Sequence, residues 1–314
     1  MKIYLITNNA QPTEKQITQL EKLGDFVWVD AMKLTAKEVI NKASDAEILI
    51  LGPSGVEKIS NELLSGLYKL KFISLLTVGT NWVDLESARK HQVLISNIKG
   101  ANSEAVAEHT WGMILNLAKR ITEFERDTRT KGAYNFGLYR GGEVYEKVLG
   151  VIGLGDIGKK IVRIAQGFNM KVLGVNKSNK KVEGVELVDL KTLLNRSDVV
   201  AISIPLSIET RNLISDTEIK EMKQGAILVN CAREPIVNKE AVLKAIALGK
   251  LFGYGIETEI MKPLSQNDEY FKYPNVIVTP HNAFNTIDAE IKSFDTVITN
   301  IEGFLNNNPQ NVVT

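Results

Sequence analysis

The feature that most constrains this chain is a glycine-rich turn between a predicted strand and a predicted helix. Gly153-Leu154-Gly155-Asp156-Ile157-Gly158 follows the apolar run Val148–Ile152 and opens the helical pattern Lys159–Gln166. In such a turn the first glycine permits the bend, the second lets a pyrophosphate approach, and the third lets the helix pack on the strand. The alternative is a glycine turn without a ligand. The strand–turn–helix setting favours a dinucleotide site, with the phosphates bound at Gly153, Gly155, Asp156, Ile157 and Gly158.

Strands and helices alternate on both sides of this turn, which predicts an α/β fold with parallel sheets, and 314 residues suggest two domains. The strand-like runs are Lys2–Ile6, Glu47–Leu51, Lys71–Leu76, Gln92–Ser96, Val148–Ile152, Lys171–Val175, Val199–Ile204, Ala226–Asn230, Leu251–Ile256 and Val276–Thr279. Helical patterns include Thr13–Leu23, Ser60–Leu67, a long one from Ser103, and Ile287–Leu305. The stretch Thr128–Gly142, which is rich in Gly, Tyr and Arg, is predicted to be a loop.

Charge and composition argue against several classes of partner. Lys and Arg total 38 and Asp and Glu total 37, so nothing electrostatic favours nucleic acid or a membrane surface. One cysteine and three histidines make a disulfide framework impossible within the chain and a metal site unexpected. The N-terminal residues lack the apolar segment of a signal peptide, and no run reaches the roughly 18 apolar residues of a membrane span. We therefore expect a cytoplasmic protein without a metal.

The residues after the second strand of the dinucleotide unit bear on the choice of cofactor. About 20 residues past the glycine turn, an acidic residue normally binds the ribose 2′-hydroxyl of NAD. Here that region holds Asn176, Lys177 and Ser178. Without a carboxylate there is no repulsion toward a 2′-phosphate, and Lys177 and Ser178 are suited to binding one. The sequence predicts a preference for NADP(H). NAD(H) remains the alternative if Asn176 bonds the ribose and Lys177 is solvated.

Four further segments, together with the glycine turn, resemble one family. They are Asn230-Cys231-Ala232-Arg233, Gly253–Glu257, Thr279-Pro280-His281 and Ala107–Thr110. In this order and spacing they resemble the D-isomer-specific 2-hydroxyacid dehydrogenases, which include glyoxylate/hydroxypyruvate reductases and 3-phosphoglycerate dehydrogenases. The resemblance implies a Rossmann dinucleotide-binding domain, residues 99–285, inserted into a flavodoxin-like substrate domain, residues 1–98 plus 286–314. It also implies a homodimer.

Two residues within these segments match the needs of hydride transfer to a 2-keto acid. The reaction needs a cation for the substrate carboxylate and an acid for the ketone oxygen. Arg233 follows a strand and offers a planar guanidinium, and His281 follows another strand and has an ordinary pKa near 6.5. Taken alone, the arginine suits a surface salt bridge and the histidine a structural role. Within the family pattern we predict that Arg233 anchors the substrate and His281 is the general acid/base. His109 is expected to pack or hydrogen-bond.

The chain departs from the family at the third catalytic position. Relatives carry a glutamate directly before a proline, whereas Lys262 precedes Pro263 here. A carboxylate beside an imidazole raises its pKa, and a lysine would lower it. Three interpretations remain: Glu259 reaches His281, His281 works without a carboxylate, or reductase chemistry is lost. The last describes a dinucleotide-binding regulatory, corepressor-like module. We favour Glu259.

The resemblance also assigns the remaining contacts. For the cofactor it implies Cys231 and Ala232, Pro205 as a wall for the adenine, Thr210, and Glu257 in place of an aspartate that bonds the nicotinamide carboxamide. For the substrate it implies the backbone N–H groups of Val78 and Gly79, since glycine permits close approach. Asn102 either bonds in the cleft or caps the helix that begins near Ser103.

Overall fold

The structure, a computed structural model, describes residues 1–132, 140–178, 180–259 and 264–314. The chain forms two compact units. Unit 1 consists of Met1–Asn102 and Asn285–Thr314, and unit 2 consists of Ser103–Phe284. The chain therefore leaves unit 1, builds unit 2 and returns. These divisions lie within a few residues of the boundaries that the sequence suggests.

Unit 1 begins with five strands that alternate with four helices. They are β1 (Lys2–Ile6), α1 (Glu14–Leu23), β2 (Asp25–Val29), α2 (Ala36–Lys42), β3 (Ile48–Leu51), α3 (Asn61–Gly66), β4 (Phe72–Leu75), α4 (Leu85–Lys90) and β5 (Leu94–Ser96). The strands pair in parallel in the order β2-β1-β3-β4-β5. This is the strand order of flavodoxin-like folds.

The rest of the chain supplies unit 2 and the last helix of unit 1. The elements are α5 (Ser103–Lys119), α6 (Ile121–Lys131), β6 (Val148–Ile152), α7 (Asp156–Gly167), β7 (Lys171–Val175), β8 (Val185–Leu187), α8 (Leu190–Arg196), β9 (Val199–Ile202), α9 (Asp216–Glu221), β10 (Ala226–Asn230), α10 (Lys239–Ala247), β11 (Leu251–Glu257), β12 (Val276–Thr279) and α11 (Ile287–Leu305). None of the helices in the described ranges is both long and apolar enough to cross a membrane.

The core of unit 1 follows from the period-two alternation of its strands. Successive residues of a strand point to opposite faces of the sheet. Ile3 and Leu5 of β1 join the face that α1 and α11 cover, whereas Tyr4 and Ile6 join the face covered by α2, α3 and α4. Phe304, near the end of α11, stacks on a ring of β4 at 4.6 Å between centroids. Both faces of this sheet are therefore buried under helices, as parallel sheets require.

Unit 2 is a doubly wound parallel sheet of seven strands in the order β12-β11-β10-β9-β6-β7-β8. Helices α5 and α7 cover one face and α8, α9 and α10 the other. The connections change direction between β6 and β9, and in such sheets ligands bind beyond the carboxyl ends of the strands at that point. The glycine turn follows β6 and therefore lies at this edge.

Most elements match the sequence prediction, and the exceptions have physical reasons. The bounds of β6, β7, β10, β12 and α11 are those predicted. The edge strands β2 and β8 were not predicted: β8 has three residues, and β2, despite its apolar run Phe26–Val29, contains no fully buried residue. The predicted loop from Thr128 is wrong at its start, since α6 continues to Lys131. Ion pairs one helical turn apart, Arg129 with Glu125 and Lys131 with Asp127, stabilise this charged helix without an apolar stripe.

Candidate functional site

The glycine turn is shaped to receive a phosphate group. Gly153 has a φ of +98°, and a Cβ added at Gly158 would lie 2.0 Å from the carbonyl oxygen of Gly153, so both positions require glycine. Gly155 faces open space, with no atom within 4 Å of an added Cβ, and precedes α7 without a side-chain cap. The N–H groups of Asp156 and Ile157 begin a twelve-residue helix there. An uncapped helix N-terminus under an open glycine fits the pyrophosphate of a dinucleotide.

The residues predicted to bind the ribose lie beside a cavity. Asn176 donates a 2.9 Å hydrogen bond from its amide to the hydroxyl of Ser178, while the Lys177 side chain is 93% exposed. The carboxylate of Asp189 lies beside the same cavity and accepts from the N–H and the hydroxyl of Thr192. The bond from the Thr192 N–H, followed by that from its hydroxyl, holds the pKa of Asp189 below its usual value. The cavity has a volume of about 330 Å³ and is lined by Gly174, Asn176, Leu187, Val188 and Asp189.

The loop Pro205–Thr210, which is predicted to contact the adenine, is stabilised by hydrogen bonds within itself. The hydroxyl of Thr210 donates to the carbonyl of Pro205 at 2.8 Å and accepts from the N–H of Ser207 at 2.7 Å. Thr210 therefore shapes this loop with its hydroxyl, and its predicted contact with the cofactor stays a prediction. Pro205 is exposed, so its ring is accessible to a planar ligand.

Arg233 and His281 lie at the carboxyl edge of three neighbouring strands. Arg233 follows β10 and His281 follows β12, with β11 between these strands in the sheet. Both side chains are half-buried, and the guanidinium donates to the carbonyl of Ala232 at 2.7 Å. Burial lowers the pKa of His281, and the charge of Arg233 lowers it further, while Glu257 and Glu259 oppose the shift. The structure thus places the predicted anchor and the predicted acid after neighbouring strands at one edge of the sheet, close enough for the charge of Arg233 to act on His281.

Asn230 fixes the turn that carries Arg233, a role the sequence did not indicate. Its side chain is fully buried, accepts from the N–H of Ala232 at 3.1 Å and donates to the carbonyl of Arg233 at 2.8 Å. Between them, the thiol of Cys231 lies 3.7 Å from the sulfur of Met113, and burial raises its pKa to about 12. Cys231 is therefore a neutral thiol that packs, and no thiolate nucleophile forms here.

A buried carboxylate organises the segment around His281. Glu257 is 3% exposed and accepts from the hydroxyl of Thr279 and, at 3.0 Å, from the N–H of Ala283. The Nε2 atom of His109 lies 3.1 Å from the Thr279 hydroxyl and 3.4 Å from the carboxylate. Burial alone would raise the pKa of Glu257, but the bonds from His109, Thr279 and Ala283 outweigh it and lower the pKa. The sequence predicts that Glu257 contacts the nicotinamide, which stays a prediction; in the structure its oxygens accept from protein donors.

No described carboxylate is hydrogen-bonded to the His281 ring. Glu259 is half-buried and acts on His281 through its charge, which raises the pKa of the imidazole. In the described ranges, the ring of Phe284 lies 5.9 Å from that of His281 between centroids. Lys262 lies outside the described residues. In the part of the chain that is described, His281 therefore has electrostatic partners without a bonded acid.

The Val78–Gly79 loop of unit 1 is tied down through its carbonyl groups. Asn97 donates to the carbonyl of Val78 at 2.8 Å, and Thr77 and Trp82 donate to that of Gly79 at 2.9 and 3.2 Å. Within the described ranges, the N–H groups of Val78 and Gly79 make no hydrogen bond. Such free donors on an exposed loop suit an anion.

Asn102 directly precedes α5 and ends the first segment of unit 1. In the described structure its side chain makes no hydrogen bond to the first turn of α5. This observation counts against the capping role, and a bond in the cleft stays a prediction.

Comparison with known proteins agrees with this geometry. Residues 111–283 match the family model described as D-isomer specific 2-hydroxyacid dehydrogenase, NAD binding domain. The chain is 32% identical over 290 residues to glyoxylate reductase of Thermococcus gammatolerans, covering 89% of this chain and 86% of the relative. It is 33% identical to D-3-phosphoglycerate dehydrogenase of Methanocaldococcus jannaschii over 91% of this chain and 54% of the relative, and so spans about half that protein.

A solved structure is similar over its full length. Acyclic imino acid reductase Bsp5, in complex with NADPH and D-Arg, superposes with a TM-score of 0.89 at 26% identity, and the alignment covers 100% of both chains.

Proposed function

This chain belongs to the D-isomer specific 2-hydroxyacid dehydrogenase family, and on that premise we propose that it reduces a small 2-keto acid to the D-2-hydroxy acid with NADPH. The observation that carries the proposal is the pairing of Arg233 with His281. The two residues follow β10 and β12, one strand apart, at the edge of the sheet that also carries the glycine turn, and the charge of Arg233 acts on His281. A protein that only binds a dinucleotide has no need of both.

Arg233 binds the substrate and prepares it. Its planar guanidinium grips the carboxylate of a 2-keto acid and polarises the ketone oxygen. In unit 1, the unbonded N–H groups of Val78 and Gly79 are suited to a carboxylate as well. Asn230 holds the turn of Arg233 in place, so the cation costs little reorganisation when the substrate binds.

His281 supplies the proton. A reduced nicotinamide, when bound, supplies the hydride that adds to the keto carbon. The protonated imidazole gives its proton to the ketone oxygen, and the neutral imidazole takes it back in the reverse reaction. The lowered pKa of His281 makes the protonated form scarce at neutral pH, and the charge of Glu259 partly restores it. We retain Glu259 as the candidate acidic partner, acting through space.

The preference for NADPH is supported by the residues at the end of β7. Asn176 and Ser178 present neutral polar groups and Lys177 an exposed ammonium where an acidic residue normally binds the ribose of NAD. Two carboxylates lie close by: Glu209 is 3.5 Å from Lys177, and Asp189 lines the same cavity as Asn176. The similar structure of Bsp5 contains NADPH. Comparing kcat/KM for NADPH and NADH tests this part, and a clear preference for NADH contradicts it.

A screen of 2-keto acids tests the proposed function directly. Glyoxylate, hydroxypyruvate and larger 2-keto acids are offered with each cofactor, and oxidation of the nicotinamide is followed by absorbance. We expect turnover of at least one acid and its loss in Arg233→Ala. Cofactor binding without turnover of any substrate contradicts the proposal and favours the regulatory module.

One observation favours a second substrate class. The His281 ring has a lowered pKa and no bonded acid among the described residues, so it is a weak donor to a ketone at neutral pH. A protonated imine already carries its proton and needs hydride alone. Bsp5, similar in structure, is named an acyclic imino acid reductase. Adding ammonium to the 2-keto acid assays distinguishes the two classes, because a D-amino acid forms only if the imine is the substrate.

A further inference from the structure

The carboxylate of Glu257 brings together α5, the end of β12 and the loop that follows β12. His109 belongs to α5, Thr279 ends β12, and Ala283 lies in the loop beyond it. Their donors reach both oxygens of one carboxylate that is 3% exposed. A buried carboxylate with three donors stays ionised, and charge-assisted bonds of this kind hold their partners in fixed geometry.

These bonds bracket His281. Thr279 stands two residues before it and Ala283 two residues after it, and the oxygens of Glu257 bind one each. Between them the backbone of His281 has a φ of +52°, in the left-handed region that a residue with a side chain rarely adopts. A conformation of this kind persists only when the surroundings impose it. The carboxylate supplies the restraint on both sides.

We propose that Glu257 is the positioning residue of His281. Its carboxylate clamps the Thr279–Ala283 segment in the conformation that presents the imidazole beside Arg233. His109 completes the clamp from α5 by bonding the Thr279 hydroxyl and facing the carboxylate. The effect on turnover rests on the proposed function, whereas the clamp itself does not. This role replaces the nicotinamide contact that the sequence suggests for Glu257.

The test uses two substitutions of Glu257, one that removes the charge of the side chain and one that shortens it. Glu257→Gln keeps the length of the side chain and removes the charge. Glu257→Asp keeps the charge and shortens the side chain by one methylene, so it no longer spans from Thr279 to the Ala283 N–H. Glu269→Gln, on the exposed surface of the same unit, is the matched control for loss of a charge.

Three readouts are measured on each full-length variant. We expect amide hydrogen exchange at Ala283, which is buried in the wild type, to accelerate at least about tenfold in both Glu257 variants. We expect kcat to fall roughly 100-fold, as for a misplaced catalytic group. We expect the Kd of NADPH, measured by nicotinamide fluorescence, to change less than about twofold. Glu269→Gln should leave all three unchanged.

A different pattern overturns the inference. If Glu257 contacts the nicotinamide, Glu257→Gln weakens NADPH binding about tenfold and leaves exchange at Ala283 unchanged. If Glu257→Gln does not fold, Thr279→Val removes one donor with little change of shape, and it should accelerate the same amide to a smaller extent; unaltered exchange counts against the clamp. If the wild type reduces no 2-keto acid, the proposed function fails, while exchange and cofactor affinity still decide this inference.

Discussion

Two loops of this chain are each held by the side chain of one buried residue, which we call a hub. The hub of the Val78–Gly79 loop is a neutral amide, and the hub of the His281 segment is a charged carboxylate. In unit 1, Asn97 is 8% exposed and its neutral amide bonds the carbonyl of Val78 and the N–H of Lys99. Its backbone N–H donates to Asn311, and its carbonyl accepts from Asn300. In unit 2, the ionised Glu257 performs the equivalent task. Each hub gathers sequence-distant segments around one loop.

The difference teaches what each loop can respond to. A buried neutral amide costs less to desolvate than a charge, and it does not titrate. A buried carboxylate makes stronger bonds, but only while it is ionised, and removing its partners leaves an uncompensated charge. The Val78–Gly79 loop should therefore hold its shape over a wide pH range. The His281 segment should be firmer near neutrality and weaker in acid.

The largest effect should come from the charged edge of unit 2. Arg233→Ala removes the cation that binds the carboxylate, and we expect kcat/KM to fall roughly a thousandfold, about 4 kcal/mol. Arg233→Lys keeps the charge without the planar fork and should recover only part of the loss. Steady-state kinetics measure both. An alanine variant within tenfold of the wild type would remove Arg233 from the site and leave the neutral loop as the better candidate.

The neutral hub should matter for stability and substrate affinity. Asn97→Ala leaves the carbonyl of Val78 and the N–H of Lys99 without their partner, and we expect the free energy of unfolding to fall by about 2 kcal/mol. Because the loop is loosened, substrate KM should rise about tenfold while kcat stays nearly constant. Urea unfolding and kinetics check the two effects. If kcat falls as much in Asn97→Ala as in Glu257→Gln, the two hubs do not differ in their effect on turnover.

The pH dependence of kcat/KM should follow the titration of His281 in unit 2. His281 has a folded pKa below 6.5, so its protonated form is lost as pH rises through that lower value. Above it, we expect kcat/KM for keto reduction to fall about tenfold per pH unit, and oxidation to level off. A reduction rate that stays flat from acid to neutral pH would contradict proton donation by His281 and favour an imine substrate.

Stability should also depend on pH, through the carboxylate of Glu257 rather than the imidazole of His281. The pKa of Glu257 lies below its ordinary 4.5, so the stability it contributes is complete above 4.5 and disappears as pH falls through the folded value. Hydrogen exchange at Ala283 should accelerate in that window, whereas the residues around Val78 keep their protection. If hydrogen exchange accelerates equally in both loops, the whole chain unfolds in acid and the two hubs do not differ in their response to pH.

The smallest effect should come from a charge that is exposed rather than buried. Lys177 is 93% exposed and lies 3.5 Å from Glu209, so water and salt screen it. We expect Lys177→Ala to raise the KM of NADPH roughly threefold and to leave that of NADH unchanged. Lys191→Ala, exposed on α8, is the control. Equal changes for both cofactors would argue against a 2′-phosphate contact.

The sequence predicted what local patterns and parallel topology determine. The apolar runs of β6 and β10 fixed those strands, and the rule that parallel strands end at one edge was enough to expect Arg233 near His281. The sequence led us to expect that His109 packs or hydrogen-bonds, but its partners Thr279 and Glu257 were not predictable because they lie far away in sequence and no local pattern marks them. The charged helix α6 was missed in part for a related reason: its ion pairs replace the apolar stripe that a pattern search needs.

The return of the chain to unit 1 has a consequence for its synthesis. Ile3, Leu5 and Phe72 belong to a sheet face that α11 helps to cover, and α11 leaves the ribosome only after all of unit 2. At typical elongation rates that interval is on the order of ten seconds or more. Unit 2 is continuous and can fold while the nascent chain grows. During that interval the first segment of unit 1, Met1–Asn102, keeps part of an apolar sheet face exposed to water. Exposed apolar surface of this kind is what chaperones bind.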